Sequence, residues 1–150
     1  MGMFDALNVS ASGLSAERTR MDVVANNLAN AQTTRGANGQ PFRRQEVVLQ
    51  AESQSFASVL SRNVGTMTEP KGAPRGVKVV DVAEDPTPNR RIYDPGHPDA
   101  DANGYISLPN VNPVTEMVDL IASSRAYEAN ATAMQTAKQM FTKTVDLLRS

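Results

Sequence analysis

Asp99-Ala100-Asp101-Ala102-Asn103-Gly104 places side-chain oxygens at alternate positions ahead of a glycine. A calcium loop of the EF-hand kind begins in this way, with oxygen ligands at its first, third and fifth positions and glycine at the sixth. Ile106 even falls at the apolar eighth position, but the twelfth is Asn110, which has no carboxylate to give. Pro98 directly precedes the loop and Pro109 stands where an exiting helix would begin. The segment therefore reads as a tight Asx-rich turn, with a calcium-dependent interaction module as the alternative. His97 is the only histidine and sits between Asp94 and Asp99, an arrangement that could serve a hydrolase. No serine in a sharp strand-to-helix elbow accompanies it, and its Pro and Gly neighbours read as a rigid turn. The glycines form neither GxxxxGK[ST] nor GxGxxG, so no phosphate-cradling loop is expected. Cysteine is absent, which removes disulfides, thiolate zinc sites and a cysteine nucleophile. Met21, Met117, Met134 and Met140 lie near apolar stripes and read as packing residues rather than ligands. These residues predict no catalytic site, no metal and no cofactor.

The elements around them are unusually long. Residues 4–31 read as a helix with large apolar residues at Leu7, Leu14, Met21 and Leu28, one every seventh position. Residues 113–149 read as a second helix, with Leu120, Tyr127, Met134, Phe141 and Leu148 at the same spacing. A sustained seven-residue repeat indicates a coiled-coil seam. Asn112 can cap the second helix, and Pro113 suits its first position, where a missing N–H costs nothing. Between the helices, Phe42–Leu49, Val77–Val82, Arg91–Tyr93 and Tyr105–Leu108 are strand candidates, and 53–76 reads as a partly mobile loop. The fold class is mainly α with a small β-containing middle. Residues 1–31 and 112–150 form the helical part, and 32–111 the outer segment.

Composition separates this chain from several function classes. Fifteen basic and sixteen acidic residues leave a net charge of −1. The pairs Arg43-Arg44 and Arg90-Arg91 are too short to supply the positive field that nucleic-acid binding needs. No run of roughly 18 apolar residues is present, so no membrane span is expected. Met1-Gly2-Met3-Phe4-Asp5 lacks the basic and apolar regions of a secretory signal. There is no Trp, and only three Tyr and four Phe, so large side chains for a dense core are scarce. The first helix also carries Ser10, Ser12, Gly13, Ser15, Asn26, Asn27 and Asn30, all mediocre or poor helix formers. Both helices are therefore expected to be loose in the free chain and ordered on assembly. The competing expectation is a monomer with both helices docked on the central strands.

Ala6-Leu7-Asn8-Val9-Ser10-Ala11-Ser12-Gly13-Leu14-Ser15-Ala16, continuing to Ala25-Asn26-Asn27-Leu28-Ala29-Asn30, resembles the N-terminal signature of flagellar rod and hook proteins. The run Asn110-Val111-Asn112-Pro113-Val114-Thr115-Glu116-Met117-Val118-Asp119-Leu120-Ile121, then Ser124-Arg125-Ala126-Tyr127-Glu128-Ala129-Asn130, resembles their C-terminal signature. The turn from Tyr93 to Tyr105 is similar to that of a proximal-rod member, and another proximal-rod subunit is the near alternative. The resemblance covers roughly residues 4–50 and 76–150. It implies terminal helices paired as an antiparallel coiled coil around a narrow export channel, in a hollow shaft that carries torque. It implies assembly with copies of the chain, other rod proteins and ring or adaptor components at the rod base. It further implies uncleaved export through the flagellar type III apparatus to a periplasmic rod, with no nucleic acid and no small-molecule substrate. Asn26, Asn27, Asn30 and Asn130 are expected to fix register between subunits, as buried Asn does in coiled coils.

Overall fold

The computed structural model describes residues 3–36, 39–52 and 76–149, the side chains of 3, 4, 148 and 149 excepted. Helix α1 spans Met3–Ala29 and helix α2 spans Pro113–Arg149. Strands β1 (Gln45–Ala51), β2 (Val77–Glu84), β3 (Arg90–Tyr93) and β4 (Tyr105–Leu108) lie between them. The loop expected over 53–76 falls, apart from Gly76, outside the described residues. Among the described residues no helix is long and apolar enough to cross a membrane.

Local chemistry accounts for the helix ends. The Asn112 side-chain oxygen accepts the Val114 N–H at 3.1 Å and the Asn112 carbonyl accepts the Glu116 N–H at 3.0 Å, the pattern of an N-cap followed by Pro at the first position. At the other end of the helical signature, the Asn30 side chain donates to the Asn26 carbonyl at 2.9 Å and closes the last turn of α1. Along α2, the hydroxyls of Thr132, Thr136, Thr142 and Thr144 each donate to the carbonyl four residues earlier. These polar groups satisfy themselves within their own helix.

β1 and β2 form an antiparallel pair, and both pack on α1. Leu49 pairs with Val79 and Val48 with Asp81, so Val80 is an extra residue in β2. The apolar positions Val77, Val79 and Val82 change parity along the sequence, and this bulge restores them to one face, opposite Ala51, Leu49 and Val47. β3 and β4 form a second antiparallel pair. It stacks Tyr93 edge-on to Tyr105, with centroids 5.2 Å apart, and its connecting turn closes at Gly104, whose φ of 77° is left-handed. This second pair touches no other described element and is tethered through loops. α2 packs on α1 alone.

Candidate functional site

The most deeply buried polar side chains of the described residues, Asn27 and Glu116, are in contact with each other. Asn27 projects from α1 toward the start of β1. Its amide oxygen accepts the Gln45 N–H at 2.9 Å, and its amide nitrogen donates to the Gln45 carbonyl at 2.8 Å. A side chain thereby makes both bonds that a neighbouring strand would make. The same nitrogen donates to Glu116 Oε2 at 3.0 Å. Arg44 Nε donates to Glu116 Oε1 at 2.7 Å, so each oxygen of a fully buried carboxylate has a donor. The two helices and the segment entering β1 meet at one charge-assisted hub.

Electrostatics favour this arrangement. Glu116 lies in the first turn of α2, where the helix dipole stabilises negative charge. Its hydrogen bond raises the pKa of the Arg44 guanidinium further, and burial opposes that shift. The Arg44 terminal nitrogens also lie 3.8 Å from Glu46, 3.9 Å from Asp85 and 3.9 Å from Asp119. The Asp85 carboxyl is held below its ordinary value, chiefly by hydrogen bonds from the Thr87 side chain and backbone.

A second fixed point lies further along the helices. The side chain of Asn130 covers Gly13 so closely that a Cβ there would lie 2.9 Å from its amide nitrogen. Asn27 with Glu116 and Gly13 with Asn130 are separated by the same fourteen residues on each helix. Between and beyond them, Ser123 and Ala137 are buried at 2% and 7% exposure. On α2 the tightly buried positions are thus Glu116, Ser123 and Ala137, with half-buried Asn130 completing a seven-residue repeat. That repeat interleaves with the large apolar one, four residues ahead of it in each case.

The expected packing residues are distributed unevenly. Leu7, Leu14, Met21, Leu28, Leu120 and Met134 are half-buried, whereas Tyr127 and Phe141 are 37% and 42% exposed. The Leu148 side chain lies outside the described residues. Of the four asparagines, Asn27 and Asn130 work within the chain, between its elements. Asn26 is exposed and reaches Gln45 Oε1 at 3.4 Å, and Asn30 acts as a helix stop. From sequence Gly13 reads only as a poor helix former and Arg44 only as half of a short basic pair, and Gln45, Glu116 and Ser123 were given no role of their own. Small and polar residues recurring at multiples of seven positions were the signal available for those on the helices.

The chemically suggestive turn has other duties. Asp99 accepts the Thr34 hydroxyl at 2.8 Å and lies 3.6 Å from Arg35, linking the turn to the segment that follows α1. Asp101 accepts the Asn103 and Tyr105 N–H groups at 2.8 and 2.9 Å and pairs with Arg91 at 2.8 Å, while Arg91 also stacks on Tyr105. His97 Nδ1 accepts the Asp99 N–H at 3.1 Å. These are Asx-turn and latch contacts. Among the described residues no group of three or more His, Cys, Asp or Glu side chains could hold a metal ion.

Residues 7–37 match the family described as "Flagella basal body rod protein", and residues 102–147 match "Flagellar basal body rod FlgEFG protein C-terminal". Asn27 lies in the first match and Glu116 in the second. The chain is 48% identical to the flagellar basal-body rod protein FlgC of Bacillus subtilis, over 98% of this chain and 99% of that one. The chain belongs to the FlgC family of flagellar basal-body rod proteins. FlgC of Borreliella burgdorferi is 39% identical, with 99% of both chains covered, and FlgC of Aquifex aeolicus is 40% identical over 97% of each. The FlgC relatives therefore share this chain's full length, middle segment included.

Proposed function

We propose that this chain is a structural subunit of the proximal flagellar rod, polymerising with copies of itself and with other rod proteins into a hollow shaft that transmits torque and encloses the export channel. The terminal helices pair as an antiparallel coiled coil and form the inner layer, while residues 32–111 form the outer part. The reading is supported most by one observation. Two contacts at equal offsets, Asn27 with Glu116 and Gly13 with Asn130, hold α1 and α2 in one register of opposite sense. Coiled-coil pairing places Leu7, Leu14, Met21 and Leu28 beside that seam, opposite Leu120, Tyr127, Met134, Phe141 and Leu148. Asn26, Asn30 and the exposed faces of both helices are then available to neighbouring subunits.

The role is structural, with no reaction, cofactor or small-molecule substrate in it. Its setting is the periplasmic part of the basal body, reached through the flagellar type III export apparatus without a cleaved signal. Ring or adaptor components at the rod base complete the set of partners. Leu28→Asp tests the reading in a motile strain carrying the variant as its only copy. An unpaired charge beside the seam is expected to abolish rods and swimming. Wild-type swimming by that strain would count against it.

A further inference from the structure

The turn between β3 and β4 puts the carboxylates of Asp99 and Asp101 to use. From Asn103 it holds the backbone N–H, which donates to Asp101 Oδ1, while the residue itself is exposed. The residue that follows is Gly104, at a φ of 77°, so no Cβ crowds the Asn103 carboxamide from that side.

An asparagine placed in this way has a reaction open to it within its own backbone. The Gly104 amide nitrogen gives its proton to a solvent base and attacks Cγ of Asn103. The new N–Cγ bond closes a succinimide ring, and the Cγ–Nδ2 bond breaks with release of ammonia. Water then opens the ring. Cleavage of the N–Cγ bond leaves aspartate, whereas cleavage of the bond to the main-chain carbonyl leaves isoaspartate, with the backbone running through Cγ. One water is consumed and one ammonia is released.

We propose that Asn103 is a deamidation site of this chain and that Asp101 gates it. The Gly104 N–H, whose nitrogen is the nucleophile, donates to the Asp101 carbonyl at 2.9 Å. Asp101 Oδ1 accepts the Asn103 and Tyr105 N–H groups at 2.8 and 2.9 Å, so a single residue holds the amide of Gly104 and those on either side of it. While these bonds stand, the nitrogen is occupied and attack waits for the turn to open. That opening is local, because the β3–β4 pair touches no other described element.

The product changes the turn. Isoaspartate adds a carbon to the main chain before Gly104. The Asp94 N–H bond to the Gly104 carbonyl and the Asp101 N–H bond to the Tyr105 carbonyl, both 2.9 Å, depend on the present spacing. Either product also adds a negative charge to a turn that already holds Asp99 and Asp101. The modified hairpin is looser and more acidic, and the helix pair, which it does not touch, keeps its contacts. This inference does not depend on the chain's being a rod subunit.

The test incubates the purified full-length chain at neutral and mildly alkaline pH, beside a synthetic peptide of residues 97–110. Tryptic peptides are then read by mass spectrometry and by enzymatic isoaspartyl methylation. The other Asn-Gly pair, Asn38-Gly39, falls in a separate tryptic peptide. The peptide containing Asn103 should gain the mass of deamidation, faster at the higher pH and with isoaspartate among the products. Asn103→Gln should remove that signal. The free peptide should react roughly tenfold faster than the folded chain, and Asp101→Ala should raise the chain's rate toward it, the size expected for losing hydrogen bonds to a charged acceptor. Circular dichroism checks that the Asp101 variant keeps its helices; if it does not, the unmodified chain against the peptide decides. Asn103 left intact in the chain while the free peptide converts would overturn the site. A chain that reacts as fast as the peptide, or a folded Asp101→Ala chain with an unchanged rate, would overturn the gate.

Discussion

Glu116 is a fully buried carboxylate with two donors from elsewhere in the chain, Asn27 of α1 and Arg44 just before β1. Removing one partner of a buried ion pair strands the other charge, at a cost of about 3–5 kcal/mol. Arg44→Ala should therefore lower the urea midpoint sharply, and Glu116→Gln in the same chain should recover part of the loss, because a neutral amide tolerates burial better than a lone charge. Arg44→Ala with unchanged stability would show that the hub contributes little. Asp101 gives a second test. Its carboxyl is held below the ordinary value, first by the Tyr105 backbone N–H. A depressed carboxyl contributes stability that is present above the unfolded-state value of about 3.9 and is lost as pH falls through the lower folded value. The Asn103 and Tyr105 amide resonances should hence move together only under strongly acid conditions, and Asp101→Asn should abolish that titration. At this scale the sequence reveals residue types and conceals their partners. Asp99, Asp101 and Asn103 are visible as oxygen donors, yet only the fold shows Arg91, Arg35 and Thr34 beside the two aspartates. Glu116 reads from sequence as an ordinary first-turn acid, because Arg44 lies 72 residues away.

The helix pair is held by small and polar residues where its faces are closest. Gly13 has room for Asn130 only because it lacks a side chain. Gly13→Leu should force the helices apart, lowering helical content and speeding amide exchange on both sides of Asn130. Unchanged exchange would show that this contact does not set the spacing. The helix ends were legible because caps are local: Asn112 with Pro113 marks the start of α2 from sequence alone. The large apolar repeat was legible too, since its spacing is a property of one chain segment. The interleaved repeat of Glu116, Ser123, Asn130 and Ala137 was not, because polar and small residues enter a seam only when the facing helix supplies a partner or a gap. The strand pattern Val77, Val79, Val82 was partial for a similar reason, since the Val80 bulge that reconciles it is a property of the pairing with β1.

As a whole, the chain buries little. Among the described residues the buried apolar side chains are Ala16, Val24, Val47, Ile106, Val111 and Ala137, and none is aromatic. Meanwhile Val114, Met117, Val118 and Ile121 remain more than half exposed. Burial of large apolar side chains supplies most folding energy, so with a core of this kind the long helices are expected to depend on neighbours. Membership of the FlgC family supplies the setting in which such neighbours exist. The scarcity of aromatic residues makes such dependence an expectation that composition alone raises, whereas the identity of the exposed faces required the fold. Hydrogen exchange, compared between dilute free subunit and purified basal bodies, tests the account most directly. Residues 7–28 and 117–148 should exchange rapidly in the free chain and become strongly protected in the rod. Equal, strong protection in the dilute free chain, or basal bodies that lack the chain, would contradict it.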